Sequence, residues 1–388
     1  MTIDRQVMQR DLAAHLAREE GLDLLPQSAH ADLKSYIVEA HPADSLQTAS
    51  RMLSEGGERA DVKVQETDDP SLFLLMATVL NEGQEEEVGF WVDVANPRFW
   101  LLHTKTNASP AGTALRRLVG HSPRLDTAWL PRNQLRSVQS RFKPFGFRLG
   151  FDERPFYRRE VDMLELEEPT HKLNVEHAGV GAERIYQLLE ANELTRRAMA
   201  VAEVAFWKSS GDGTQLMRLT RQGRLRSTGQ SLDSHLQAAR AVVRSYERFI
   251  VNLELAFGLQ FSGDDSGGIL EGRPLSIQTQ KPEGFQFQSL VERLVSGIEP
   301  FRILGTVDWR AEEVAWVEAV DLHTGAPLRM DLTPTWMRVY LGHGLCGNTL
   351  ARFITNLQRA YDASLSYFDE ASDDLFAQEA QAGEALPT

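Results

Sequence analysis

Between residues 231 and 257 the apolar side chains Leu232, Leu236, Ala239, Val243, Tyr246, Ile250, Leu253 and Phe257 recur at alternating spacings of four and three without a break. A 3.5-residue period held over this length specifies a helix with one narrow apolar seam. That stripe must be buried, either against a second helix of the same chain or against another subunit. Residues 182–207 read as the intramolecular candidate, closed by the flexible composition Ser209-Ser210-Gly211-Asp212-Gly213. The eight seam residues are thus assigned to helix packing in a hairpin or to oligomerisation, including self-association.

On either side of this helical element the period changes. Ile3, Val7, Met8, Leu12 and Leu16 recur at helical spacing, and residues 32–40 and 43–54 read as further helices. Residues 62–65, 72–80, 88–94 and 99–104 are rich in β-branched and aromatic types, with Asn96-Pro97-Arg98 as a tight turn and 82–87 as an acidic, exposed loop. A short helix is expected at 114–119. Beyond residue 262, strands are predicted at 301–309, 314–322 and 327–332, with His323-Thr324-Gly325 as a turn. A closing helix over 348–367 presents Leu350, Phe353, Ile354, Leu357 and Tyr361 on one face.

These patterns give an α+β protein with two antiparallel-sheet-containing domains separated by a long helical hairpin. The limits fall at 1–168, 169–262 and 263–388, the first marked by the acidic run Glu160, Asp162, Glu165, Glu167 and Glu168. Leu102-His103-Thr104 echoes Leu322-His323-Thr324, but three residues carry no sustained period, and no internal duplication is read from them. The tail after Phe368 holds six acids and no base, a composition expected to be disordered.

Charge is sorted unevenly. Residues 116–159 contain eleven basic side chains and three acids inside a chain whose net charge is −14. Self-repulsion opposes gathering cations this way, and the usual beneficiary is an anionic partner. Arg116, Arg117, Arg124, Arg132, Arg136, Arg141, Lys143, Arg148, Arg154, Arg158 and Arg159 are interleaved with Trp129, Phe142, Phe145, Phe147, Phe151, Phe156 and Tyr157. Guanidinium groups bind phosphate oxygens through paired donors, and aromatic faces stack on bases. Gly146 and Gly150 permit close backbone approach or a bulge. The same segment has a plainer reading: Phe145, Phe147, Leu149 and Phe151 alternate as a half-buried strand does, and the arginines can pair with the acids at 82–87 or 160–168. A second basic cluster, Lys208, Arg218, Arg221, Arg224 and Arg226, extends the first if the two face the same way, and the acidic tail is a candidate to fold back over the arginines.

Enzyme signatures are weak. Cys346, the single cysteine, precedes the last helix with His343 nearby, an arrangement that can activate a thiol but more often marks a small buried residue. Gly263-Asp264-Asp265 resembles a metal-binding hairpin tip without a partner carboxylate strand, and Thr279-Gln280-Lys281 places threonine where a nuclease strand needs an acid. His171 and His177 lack a second ligand pair, and His103 and His323 sit near strand ends. No phosphate-binding glycine loop, dinucleotide fingerprint or nucleophile elbow is present. No cofactor or metal is expected. One cysteine excludes an internal disulfide, no apolar run is long enough to cross a bilayer and the N-terminus lacks an export layout, so a cytoplasmic location without membrane contact is the expectation.

The function read from the sequence is a non-catalytic nucleic-acid-binding subunit that contacts DNA or RNA phosphates through the basic aromatic segment. The alternative is a protein-binding scaffold or regulatory subunit of a multi-protein complex that never touches nucleic acid. A metal-dependent nuclease or hydrolase using Asp264 and Asp265 ranks third.

Overall fold

A computed structural model describes residues 2–19, 24–27, 31–42, 45–153, 172–210, 213–264, 267–280, 286–342 and 346–368. In chain order the elements begin α1 (Arg5–Ala17), β1 (Asp32–Ala40), α2 (Leu46–Arg59), β2 (Lys63–Glu66), β3 (Leu72–Asn81), β4 (Gln84–Asp93), β5 (Phe99–Thr104), α3 (Ala108–His121) and β6 (Leu125–Thr127). They continue α4 (Arg132–Ser140), β7 (Lys143–Asp152), β8 (Lys172–Ala178), α5 (Ala182–Ala191), α6 (Glu193–Arg196), β9 (Val201–Ser210), β10 (Gly213–Thr220), β11 (Arg224–Thr228) and α7 (Leu232–Phe257). The remainder is β12 (Gln260–Asp264), β13 (Gly267–Glu271), β14 (Leu275–Gln278), α8 (Phe287–Leu294), β15 (Ile303–Ala311), β16 (Val314–Asp321), β17 (Pro327–Leu332), β18 (Trp336–Leu341), α9 (Gly347–Ala360) and β19 (Ser366–Phe368). The α+β class expected from the sequence holds.

Two compact units are assembled from separated segments. The first comprises Met1–Trp129, Phe142–Pro144 and Ala205–Glu247, and the second Leu130–Arg141, Phe145–Val204 and Arg248–Thr388. Their limits therefore differ from the three consecutive domains read along the chain. The long helix expected over 182–207 is not formed: α5 ends at Ala191, the four-residue α6 follows and Val201 begins β9, so among the described residues this segment supplies no hairpin partner for α7. Val201, Val204, Ala205 and Phe206 are buried in that strand, an apolar run too short for periodicity to distinguish from a helix.

In the first unit the strand order runs β2-β3-β4-β5-β1-β11-β10, with β6 also pairing the end of β1. β1 corrects the helix predicted at 32–40. All nine of its residues are buried, and a strand covered on both faces shows no polar alternation to reveal it. The acidic stretch at 82–87 is not one loop: Glu82 and Gly83, both at positive φ, make a two-residue turn, and Gln84 to Glu87 already pair with β3. On one face of the sheet, Val7, Met8, Leu12 and Leu16 of α1 pack on Leu33, Leu72, Leu74 and Trp91. That contact is pinned by Asp11, which accepts from Lys105 Nζ at 2.8 Å and from Trp91 Nε1 at 2.9 Å, all three side chains being buried. The other face is covered by α2 and α3.

α7 closes the first unit through a buried polar chain. Ser35 Oγ lies 2.6 Å from His103 Nδ1 and 2.6 Å from His235 Nε2, and His235 Nδ1 lies 2.8 Å from Ser227 Oγ. A serine hydroxyl carries one proton, so it donates to one imidazole and accepts from the other. The chain thus has a direction and ties β1, β5, β11 and α7 together. Burial pushes the His103 pKa down to about 4 and holds His235 well below its ordinary value.

The second unit contains a six-stranded antiparallel sheet in the order β15-β16-β17-β18-β14-β19. Its element sequence, β14-α8-β15-β16-β17-β18-α9-β19, repeats that of β1-α2-β2-β3-β4-β5-α3-β6 in the first unit. The strand order is the same as well, with the first strand of each module inserted between its fifth and its last. The chain therefore carries a topological duplication that the sequence did not reveal. The echoed tripeptides are not equivalent within it, because His103 lies within β5 whereas His323 lies in the turn between β16 and β17. Behind the second sheet, Arg352 of α9 pairs with Asp321, which also accepts from Thr349 Oγ1 at 2.7 Å, while Arg352 Nε donates to Phe301 O at 2.7 Å.

Candidate nucleic-acid interface

Antiparallel register sets three cations side by side in the first unit. Arg218 on β10 faces Arg226 on β11, and Arg226 faces Lys34 on β1. On the next rung Arg224 faces Tyr36. Adjacent strands lie about 4.8 Å apart, and like charges directly opposite one another destabilise a sheet. Asp32 answers part of this row: it lies 2.7 Å from the Arg226 guanidinium, and its backbone carbonyl accepts from Lys34 Nζ at 3.1 Å. Burial, opposed by Asp32 and reinforced by Arg226 and Arg224, lowers the Lys34 pKa to about 8.

The two basic clusters of the sequence meet at Tyr36. Burial raises the pKa of its hydroxyl, and Arg224 from β11 and Arg116 from α3 both oppose that rise. Arg116 is exposed and donates to Thr113 Oγ1 at 3.0 Å. Lys34 and Tyr36 were missed in the sequence because β1 had been read as a helix, which hid the alternation that sends Lys34 and Tyr36 to one face.

Other members of the predicted set are placed differently. Arg117 donates to the carbonyl of Thr78 at 3.0 Å, and Arg124, Arg141 and Lys143 are exposed. In the second unit Arg136 holds both oxygens of Glu183, at 2.6 and 2.7 Å, and lies 4.2 Å over the Tyr186 ring. Arg132 pairs with Glu190 and donates to Tyr186 Oη at 2.9 Å, while Arg148 lies 3.7 Å from Glu203. Among the described residues, Arg132, Arg136 and Arg148 thus meet acids on α5 and β9. Arg154, Arg158, Arg159, Phe156, Tyr157 and the acids at 160–168 lie outside the described residues, as does the tail beyond Phe368.

The aromatic side of the expected surface is corrected. Trp129, Phe147 and Phe151 are buried, Phe142 stacks on Phe206 with centroids 4.5 Å apart, and Phe147 meets Tyr186 edge-on. They are core rings of a half-buried strand and its neighbours. Gly146 does mark a close approach, since a Cβ there would meet His177 O at 2.5 Å.

The seam of α7 is also occupied. From Leu236 to Phe257 the residues Leu236, Ala239, Val243, Tyr246, Ile250, Leu253 and Phe257 are buried within the chain, with Leu232 half-buried. Ala238, Val242 and Phe249 are buried beside them, so the apolar stripe is wider than a coiled-coil seam. Packing within the chain accounts for the burial of these side chains.

Cys346 is buried at the N-cap of α9, its Sγ 3.8 Å from Thr349 Oγ1, while His343, Asp265, Lys281 and His171 lie outside the described residues. Asp264 stands in the β12–β13 hairpin opposite Gly267, and Thr279 donates to Pro334 O at 2.8 Å. Among the described residues no helix is long and apolar enough to cross a membrane.

The structure thus defines an α+β protein with a duplicated sheet module and a basic, in-register ladder on its first unit. The chain belongs to the MJECL33-like protein family, whose model it matches over residues 17–376. It is similar to a protein of Methanocaldococcus jannaschii described as "Uncharacterized protein MJECL33", with 26% identity over 371 residues and 85% of each chain covered.

Proposed function

We propose that this protein is a non-catalytic nucleic-acid-binding protein whose first unit contacts DNA or RNA phosphates through Arg116, Arg218, Arg224 and Arg226, with the buried Lys34 adding positive charge beneath them. The row Arg218, Arg226, Lys34 carries this reading. It costs sheet stability, and a polyanion laid across the strands would offset that cost. Arg132, Arg136 and Arg148 belong to the second unit, where they meet Glu190, Glu183 and Glu203, and are left out of this surface. The test is an electrophoretic mobility assay at low salt with random duplex DNA and single-stranded RNA. Wild type shifts one or both, and the variant Arg218→Gln/Arg224→Gln/Arg226→Gln loses the shift. Equal binding by the two proteins would refute the assignment.

A protein-binding scaffold without nucleic-acid contact is the second reading. It is favoured by the outward face of the second sheet, where Leu304, Trp316 and Val320 are 53%, 50% and 40% exposed and Leu304 stands opposite Val320. Under that reading wild type binds neither nucleic acid even at low salt.

A further inference from the structure

A second basic feature of the first unit lies elsewhere and has a different shape. The C-terminal half of α2 and the turn from α3 to β6 enclose a cavity of about 330 Å³, lined by Arg51, Glu55, Arg59, Ser122 and Arg124. This turn joins the far end of β1, where Leu125 pairs with Ala40. Six residues of extended strand separate Ala40 from Lys34, about 20 Å, so the cavity is distinct from the ladder.

We propose that Arg51, Arg59 and Arg124 bind the phosphoryl group of a small phosphorylated ligand in this cavity, with the Ser122 hydroxyl at its base. Three guanidiniums face one carboxylate, Glu55, which lies 3.9 Å from Arg51 in a loose pair. Both members of that pair are more than half exposed and are free to separate. A single arginine in the last turn of α2 would be explained by the helix dipole, which favours a cation there. Three cations from two elements exceed what that explains.

Ser122 supplies the independent observation. It is 2% exposed, and its hydroxyl has no hydrogen-bond partner among the described residues. A buried hydroxyl left unsatisfied carries a desolvation cost, which a phosphate oxygen would remove. The approach of α2 to Ser122 is built in: a Cβ at Gly56 would stand 2.2 Å from the Ser122 Oγ. Glycine in a helix interior lowers helix stability, and this contact accounts for its use. Arg124 is held at φ 78, a left-handed backbone conformation that an arginine adopts only under constraint. The cavity falls at the small end of the usual range for small-molecule sites, ~300–1,000 Å³. It exceeds what a bare phosphate needs, leaving room for an organic group.

Isothermal titration at constant ionic strength tests the proposal, using inorganic phosphate, pyrophosphate and AMP as probes and chloride as control. Saturable one-site binding of at least one phosphoryl probe is expected, weakened tenfold or more in Arg59→Gln/Arg124→Gln. Both substituted side chains are exposed, and an unchanged urea midpoint shows that the variant is folded. The ladder variant Arg218→Gln/Arg224→Gln/Arg226→Gln retains wild-type affinity for the probe, and the pocket variant retains the mobility shift of nucleic acid, so the two sites fail separately. Absence of saturable binding by all three probes, or equal affinity in the pocket variant, would overturn the proposal.

Discussion

Lys34 on β1 and Arg226 on β11 stand opposite each other in register, two cations on adjacent strands of one sheet, and Asp32 touches both. This pairing is unfavourable to the fold and favourable to an anion. Its energetic trace is measurable without any ligand. Burial is the leading reason that the Lys34 pKa drops from 10.5 to about 8. Between those values the unfolded chain keeps a proton that the native state has lost, so stability rises with pH, by about 1.4 kcal/mol per pH unit. Urea unfolding from pH 8 to pH 9 should show this rise, below the range where Tyr36, Tyr361 and Tyr367, whose pKa values burial raises, pull stability the other way, and Lys34→Met should flatten it while raising stability at pH 7. Identical pH slopes in the two proteins would remove the assignment.

The serine–histidine chain predicts sensitivity at the acid side. His103 titrates at about 4 in the native state against 6.5 in the unfolded chain, and His235 is lowered further, in both cases chiefly by burial. In that window the unfolded state binds more protons, so stability falls as pH drops from 6.5 toward 4. The two imidazoles together contribute a slope of about 2.7 kcal/mol per pH unit. In His103→Asn the slope should fall by about half when urea midpoints are compared at pH 6 and pH 5.

Asp11 fixes α1 to the first sheet. Asp11→Ala leaves the Lys105 ammonium buried without its carboxylate, and destabilisation of about 3–5 kcal/mol is expected in equilibrium unfolding. Asp11→Ala/Lys105→Met should recover much of that loss, because the uncompensated charge is gone. A single variant as stable as wild type would show that the pair contributes nothing.

Arg132 and Arg136 separate structural from binding arginines. Replacing both with Gln breaks the contacts to Glu190, Glu183 and Tyr186. Thermal unfolding should detect a loss of stability, while the salt dependence of nucleic-acid binding stays at its wild-type value. A lowered salt dependence would return these residues to the interface.

The sequence makes some of this architecture readable and conceals the rest for physical reasons. α7 announces itself because eight residues share one helical face, and the meander β15 to β17 does so through alternation and the turn at His323-Thr324-Gly325. β1 is concealed because its polar residues Lys34, Ser35 and Glu39 are all buried, so polarity along the strand no longer reports exposure. The duplication is hidden because equivalent strands share pairing order and not side chains. Clustering of arginines correctly marks unusual charge, but charge along a chain does not say which residues face one another. Arg218, Arg226 and Lys34 are brought together by register alone, and Arg132 finds its carboxylate 58 positions away.

The salt dependence of nucleic-acid affinity tests the central claim most directly. The logarithm of the binding constant for a random duplex falls linearly with the logarithm of salt concentration, with a slope of about −0.9 per phosphate neutralised. Substituting Arg218, Arg224 and Arg226 with Gln should make the slope shallower by about 2.7. An unchanged slope, or a wild-type protein that binds no nucleic acid at low salt, would contradict the account.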